Sequence, residues 1–394
     1  PLDTMNLFSR CQPKQPEKPM SFSLIDIGRD TVKVAIVLAL PDRDEPHVVG
    51  YGLAETGDHD VAGGRLEAAA VVGPVNQALI QAEDSTEAVM GQKIVPDHAI
   101  FALTGRATTG TIFTAEQSRN RPKKPITARE LKQLQSRADR LARQGLAQLP
   151  IEGGHWEPLA VNDAGLRIDD HLVLDAIGLT GRHLSLSLFG MAGQSGALRA
   201  LEVVANRLDL IIDVVIAAPQ ALAFIAPDSE AIVLDIGLAS TDICLIKDDA
   251  LVGTASVPFG GKFFTQVLAE LFEIDRSEAR VLKHAWYNDE LDSEDIDRLK
   301  KALESAYQRW HEAVMNALFE LSPRQPLPWK LFFTGGGSLL PGLDYRFKSD
   351  PYPFSRAPEI TRLGEGAVTT KDLTESIDYN LFMLALSLTV GLPE

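Results

Sequence analysis

What this chain is short of narrows its nature quickly. No stretch reaches the eighteen or so apolar residues that a membrane-spanning helix needs. The nearest approach, YNLFMLALSLTVGL at 379–392, is short, carries Ser387 and Thr389, and reads as a buried last helix. Two cysteines in 394 residues, Cys11 and Cys244, make no disulfide framework. Cys244 sits in an apolar run and reads as a small buried residue in a reducing compartment. Basic residues are outnumbered, 38 Lys and Arg against 54 Asp and Glu, and a net charge of −16 argues against nucleic acid as a partner of the whole chain. The eight histidines fall at no metal-ligand spacing. Ser195 in GQSG lacks the glycine spacing of a nucleophile elbow. Residues 1–19 are polar, with Lys14 and Lys18 among prolines; this is no signal peptide, and the chain reads as cytoplasmic.

What the chain does have is a repeated phrase. SLIDIGRDTVKVAIV at 23–37 and AIVLDIGLASTDICLI at 231–246 each run an apolar strand into Asp-Ile-Gly, a polar turn and a second apolar run. A hairpin turn that opens on glycine lets backbone N–H groups come close to an anion, because no Cβ intervenes. The aspartate before it stands where a hydrated cation can be held. A third element, LFFTGGGSLLPGL at 331–343, is a strand followed by three glycines, suited to close backbone approach to a flat ligand, with Ser338 near the start of a helix.

Between these motifs the patterning is mixed α/β. Strands are expected at 24–27, 32–40, 48–53 and 99–103, with a helix at 71–82. Residues 106–125 read as a loop rich in Thr, Arg and Lys that introduces a different unit. Thr127 with Glu130 forms a capping box, and Leu131, Leu134, Ala138 and Leu141 then recur at helical spacing. Strands follow at 156–161, 166–168 and 178–191, so a small strand-helix-strand-strand insertion spans 106–191. Another helix carries Leu198, Leu201, Val204, Ala205 and Leu208, and a strand at 211–216 leads into the second half. Residues 296–321 contain no Gly or Pro and form one long amphipathic helix whose stripe includes Leu299, Leu303, Trp310 and Val314.

The ordered set of two DIG hairpins and a late GGG turn resembles the actin-like ATPase superfamily. Within it the chain resembles the FtsA cell-division family, with the PilM pilus-assembly family as a close alternative. ALTG at 102–105, IGLTGRHLSLSLFGM at 177–191, RALEVVANRLDLIIDVVIAAPQALA at 199–223, and VPFGG at 257–261 followed by Thr265 and EARVLKH carry the likeness to FtsA. The spacing from Asp26 to Lys33 fits PilM better. The resemblance implies an actin-like two-half α/β fold: duplicated ribonuclease-H-like domains and a small inserted strand-helix-strand subdomain. The expected organisation is a flexible tail at 1–20, a first domain at 21–105, the insertion at 106–191, and a second half at 192–394 whose last helix returns to the first domain.

By the same resemblance ATP with magnesium lies between the halves. Gly28, Arg29, Asp30 and Thr31 with Lys33 serve the first phosphate loop; Asp235, Gly237, Ser240 and Thr241 serve the second. Lys283 belongs to the adenine-side helix, Gly335, Gly336 and Gly337 form the adenosine loop, and Asp26 and Asp235 hold magnesium through water. Lys33 read on its own is equally a snorkelling edge-strand residue. Departures from the family pattern point to slow hydrolysis or none. Arg29 replaces Ser or Thr, Leu238 and Ala239 replace glycines, Arg280 replaces a glutamate, and Ala218 stands where an acid is usual, leaving Asp235 and Gln220 as the catalytic candidates.

The family role implied is a polymerising adaptor at the inner face of the cell membrane. It binds the FtsZ C-terminal peptide and division membrane proteins; the alternative is a pilus platform binding an inner-membrane protein tail. One charge asymmetry is local: residues 106–143 hold ten Lys and Arg against three acids, a net +7 in a chain of −16. That stretch is either a solvated helix face or a docking surface for an acidic partner tail or anionic headgroups.

Overall fold

The computed structural model describes residues 18–41, 45–56, 66–150, 154–323, 325–349 and 353–392. Most of the expected tail, with Cys11, lies outside the described residues.

Three apolar strands with short polar breaks open the chain: β1 (Met20–Ile27), β2 (Thr31–Ala39) and β3 (His47–Glu55). They form an antiparallel meander. α1 (Ala68–Met90), ended by Gly91 in the left-handed conformation, returns the chain to β4 (His98–Leu103), parallel to β1. α1 tolerates Pro74 within its second turn, and it buries Val71, Val75, Ala78, Leu79 and Ala82 on the sheet.

The insertion follows. It comprises β5 (Thr108–Ser118), α2 (Ala128–Ala147), β6 (Trp156–Ile168), β7 (His171–Val173) and β8 (His183–Gln194), with sheet order β5-β8-β6-β7. The capping box at Thr127 and Glu130 is formed. Two expectations change here. Residues 108–118 form a strand where a loop was expected, because each of them pairs with a residue of the long strand β8 and that pairing outweighs their polarity. β8 begins at His183, since residues 178–182 serve the loop that Arg119 ties down.

After the insertion come α3 (Ser195–Arg207), β9 (Ile211–Ala217) and α4 (Ala218–Phe224). β9 pairs parallel to β4, so it is the next strand of the first sheet rather than an entry to the second. The second half repeats the meander as β10 (Ala231–Ile236), β11 (Thr241–Lys247) and β12 (Ala250–Val257). Then come α5 (Gly261–Phe272), α6 (Arg276–Tyr287), α7 (Ser293–Leu321), β13 (Lys330–Thr334), α8 (Tyr345–Ser349) and β14 (Glu359–Arg362). β15 (Lys371–Asp372) and α9 (Tyr379–Ser387) close the chain, α9 passing into a 3-10 turn at Leu388–Gly391.

The two large sheets match strand for strand. One runs β3-β2-β1-β4-β9 with β15 added at its β3 edge, and the other runs β12-β11-β10-β13-β14. Their central strands are apolar on both faces, as strands covered on both sides must be. Phe22, Leu24, Ala35 and Val37 of the first sheet share one core with Ala231, Val233, Cys244 and Ile246 of the second, and α4 and α9 fill the layer between. The outer face of the first sheet packs on α1 and α3, and that of the second on α5, α6 and α7. α7 buries Leu299, Leu303, Trp310, Val314 and Leu318 along one stripe.

Candidate functional site

β-strand alternation decides what meets between the halves. Asp26 shares a face with Phe22 and Leu24, and Asp235 shares one with Ala231 and Val233, so both carboxylates stand at the ends of their strands above the central core. In the first hairpin Asp26 lies directly across from Lys33; in the second Asp235 lies directly across from Asp242. The turns are built alike. The Gly28 N–H donates to the Thr31 carbonyl at 3.0 Å, and the Gly237 N–H donates to the Ser240 carbonyl at 2.9 Å.

The charges of the two hairpins feel one another. The Lys33 ammonium donates to Asp26 Oδ2 at 3.0 Å. Burial works against its charge, but Asp26, and with it Asp235 and Asp30, raise the Lys33 pKa above its ordinary value. Asp235 is pushed up to about 7, by burial first and then by the negative charges of Asp242 and Asp26, against the pull of Lys33. Burial also raises Asp242, which accepts the Gly105 N–H at 2.9 Å and is drawn back down in part by Arg29. Gly105 closes ALTG at the end of β4 and takes φ +59°, so this bond ties the first half to the second hairpin.

The second turn is clamped from behind. The N–H groups of Gly261 and Lys262 at the start of α5 donate to the carbonyls of Gly237 and Leu238 at 2.9 and 2.8 Å. A Cβ on Gly260 would lie 2.5 Å from the Gly237 carbonyl oxygen, so VPFGG needs glycine there. Thr241 has the opposite parity to Asp242 and faces the other side of the sheet. Its hydroxyl donates to the Phe259 carbonyl at 2.7 Å and accepts the Trp310 indole N–H at 2.9 Å. Thr241 is therefore a core hydroxyl, not one aimed between the halves, while Ser240 keeps the parity of Asp242.

The glycine run sits against the same hairpin. Gly335 takes φ +79°, and a Cβ there would lie 2.3 Å from Asp235 Oδ1. One on Gly337 would lie 2.7 Å from the Ile236 carbonyl, whereas Gly336 has room. The expected helix start is a 3-10 turn at Gly336–Leu339. On α6, the Lys283 ammonium turns inward to Thr265 Oγ1 at 2.9 Å and the Gly261 carbonyl at 3.2 Å. Burial and the neighbouring Arg280 lower it to about 8. Arg280 reaches the other half, bonding Asp30 at 3.3 Å and lying 3.6 Å from Glu55.

Several groups here suit a polyanion and its counter-ion. Gln220, at the start of α4, is 2 % exposed, and its side-chain N–H₂ has no partner among the described residues; Ser338 Oγ is equally unpaired. Gly28, Gly237, Gly335 and Gly337 give backbone access, and Arg29, Asp30 and Thr31 stand on the first turn. Among the described residues no three His, Cys, Asp or Glu side chains form a metal cage. A hydrated magnesium held by one or two carboxylates needs none.

Asp242, Gly105 and the Arg280 bridge were not singled out as site residues from sequence. Aligning the two DIG hairpins residue by residue would have placed Asp242 opposite Asp235, since both pairs are seven apart. Ser195 lies 3.4 Å from His155, which lies 3.3 Å from Glu157, but the serine is 5 % exposed and buried in the first turn of α3. That line of residues is a surface hydrogen-bond chain.

Comparison with known proteins bears on the fold that holds these residues. Residues 232–376 match the model of the cell division protein FtsA family. Comparison with curated proteins finds no match. Among solved structures, a PilM-PilN type IV pilus biogenesis complex superposes with a TM-score of 0.64 at 18% identity, covering 96% of this chain and 100% of that one. The ethanolamine utilization protein EutJ from Carboxydothermus hydrogenoformans gives 0.49 at 12% identity, with 96% and 93% covered. MreB 5 of Spiroplasma citri gives 0.45 at 12%, with 95% of each chain covered. At those scores the last two add nothing to the fold assignment. The chain has the fold of the actin-like ATPases and is FtsA-like in its second half. No helix among the described residues is long and apolar enough to cross a membrane.

Proposed function

We propose that this actin-like chain binds ATP with magnesium between its two DIG hairpins and uses the nucleotide to hold a conformation rather than to turn over. The meeting of Asp26–Lys33 with Asp235–Asp242 beneath two glycine turns carries this reading. Magnesium, when bound, supplies charge neutralisation at the phosphates. Asp235 would hold the hydrated ion, and Lys33 keeps Asp26 compensated so that it adds no net negative charge beside the phosphates. Backbone N–H groups near Gly28 and Gly237 face the phosphates, and Gly335 to Gly337 admit the nucleoside. Gln220, buried with its side-chain N–H₂ unpaired at the start of α4, is the amide proposed to orient a water.

Weak turnover follows from the second turn. Leu238 and Ala239 bring side chains where the backbone must approach, and Thr241 spends its hydroxyl on Phe259 and Trp310. Phosphoryl transfer rests on positioning, so binding survives better than rate. Calorimetric titration with ATP and magnesium tests binding; no heat at saturating nucleotide, with an empty cleft in a soaked crystal, would overturn it. Steady-state hydrolysis is expected far below the enzyme median of about ten per second.

For the biological role we propose, with the FtsA match over residues 232–376 in support, a self-associating adaptor beneath the cell membrane that links FtsZ filaments to later division proteins. A second reading is favoured by the whole-chain likeness to the PilM-PilN type IV pilus biogenesis complex: this chain would then be a platform of pilus assembly that binds a short tail of an inner-membrane protein. Co-sedimentation with an FtsZ C-terminal peptide, against a peptide from the cytoplasmic tail of a pilus inner-membrane protein, separates the two. Binding of the second alone, by a strict monomer, would assign the pilus role.

A further inference from the structure

The inserted subdomain carries a groove that the nucleotide cleft does not use. It lies between α2 and the end of β5, encloses about 530 Å³, and is lined by Arg129, Lys132, Arg137 and Arg140 with Gln117 and Ser136. Residues at 129, 132, 136, 137 and 140 recur at helical spacing, so the cations form one row along α2. From Arg129 to Arg140 is eleven residues, a rise of roughly 16 Å, which about five residues of extended chain would match.

The row is uncompensated. Among the described residues no carboxylate pairs with Arg129, Lys132, Arg137 or Arg140, and Arg137 donates instead to the Glu116 carbonyl of β5 at 3.0 Å. The basic residues of this region differ in role. Arg119 is buried and committed to Glu130 and to the carbonyls of Gly181, Lys124 and Pro125, so it fixes the loop before α2 and takes no part in the groove. β5 is an edge strand of eleven residues, paired with β8 on one side and with no strand on the other among the described residues. A long edge without proline is a template for a further strand.

We propose that this groove docks an extended acidic segment of a partner protein, its backbone running beside β5 and its carboxylates meeting the α2 row. Opposite charge supplies recognition and a fast encounter, and the strand edge supplies direction. A membrane surface fits less well, because the side chains exposed along the row are polar or charged and the one large apolar residue of the lining, Leu134, is buried and offers nothing to insert. The net charge of −16 disfavours a nucleic acid. The docking site is separate from the nucleotide site and its test needs no nucleotide.

The test uses the full chain and a fluorescein-labelled ten-residue peptide of alternating Glu and Val. Saturable binding is expected, weakening at least about tenfold when salt shortens the screening length to roughly 3 Å. The double variant K132E/R140E should lose about tenfold or more in affinity with its melting temperature unchanged, since both side chains are exposed. The loop variant K123E/K124E, equal in charge change but outside the groove, should stay within about twofold. A peptide of the same charge with proline at every Val position should bind several-fold less tightly. Equal loss in both double variants, no loss in K132E/R140E, or capture only by equal-part phosphatidylcholine–phosphatidylglycerol vesicles or an oligonucleotide would overturn the proposal. Concentration-dependent self-association that K132E/R140E abolishes, without peptide binding, would assign the groove to a second copy and overturn it too.

Discussion

Lys33 and Asp242 occupy the same place in the two halves, each seven residues after the aspartate of a DIG hairpin and directly across from it, yet one is a cation and the other an anion. The first hairpin thus neutralises its own carboxylate. The second sets two carboxylates side by side, and burial first, with Asp242 behind it, pushes Asp235 up to about 7. The two matching hairpins are electrostatically unequal, so that one side holds a compensated ion pair and the other an acid poised near neutrality.

Replacing Lys33 by Met removes the partner of a buried Asp26. Loss of one member of such a pair costs roughly 3–5 kcal/mol, so a clear drop in melting temperature is expected. Magnesium alone should restore part of it in the variant and little in the parent, read by thermal denaturation with and without the ion. A variant indifferent to magnesium would mark Lys33 as purely structural.

Asp235 gives a pH signature whose sign is fixed. Folded, its pKa is about 7; unfolded, it is near the ordinary aspartate value of about 3.9. Between these values the folded state holds the extra proton, so stability falls as pH rises from 4 to 7 and the cost is complete above 7. Asp235→Asn should therefore melt roughly 2–4 °C higher than the parent at pH 8, with the gain vanishing near pH 4. The same variant should bind magnesium–nucleotide more weakly. Melting curves across pH and a titration at pH 8 check both.

Gly335 and Gly336 are adjacent and should respond oppositely to alanine. At Gly335 the Cβ meets Asp235 Oδ1 at 2.3 Å on a backbone with φ +79°; at Gly336 its nearest neighbour is Leu381 Cδ2 at 3.6 Å. Gly335→Ala is expected to cost at least about 1–3 kcal/mol and to disturb nucleotide binding. Gly336→Ala should be within about 0.5 kcal/mol of the parent. Denaturant titration of the pair checks this.

Arg280 joins α6 to Asp30 across the cleft, with both side chains more than a third exposed. Exposed ion pairs contribute little to stability, about 0–1 kcal/mol, so Arg280→Ala should barely move the melting temperature. Its effect should fall on exchange: a fluorescent nucleotide is expected to leave several-fold faster, measured by stopped flow, and unchanged release would remove the bridge from consideration as a latch.

The fold was largely legible because its two halves announce themselves through the same phrase, and because α7 carries a clean helical stripe from Leu299 to Leu318. β5 was not legible. Its Thr-rich sequence alternates too weakly to mark a strand and depends on the long partner β8 for its shape. Likewise the place of β9 depends on β4, over a hundred residues earlier, and no local pattern records that. At the site, the aspartates and glycines were readable as motif letters. The direction of the Thr241 hydroxyl was readable from parity once Asp235 was assigned to the cleft, but its partners Phe259 and Trp310 are long-range contacts. The inward turn of Lys283 onto Thr265 is of the same kind.

The first sheet takes its outermost strand, β15, and part of its covering layer, α9, from the last stretch of the chain, whereas the second sheet is complete between residues 231 and 362. On a ribosome the order of emergence and the order of completion are therefore reversed. β1 and β2 leave the exit tunnel long before α9, the last part of the layer on their inner face, follows at residues 379–387, while the second sheet has every strand it needs as soon as β14 appears. A nascent chain stalled before residue 371 would hold every strand of the second sheet while the first still lacked its edge strand β15 and its covering helix α9, so the sheet whose strands emerge first is the one completed last.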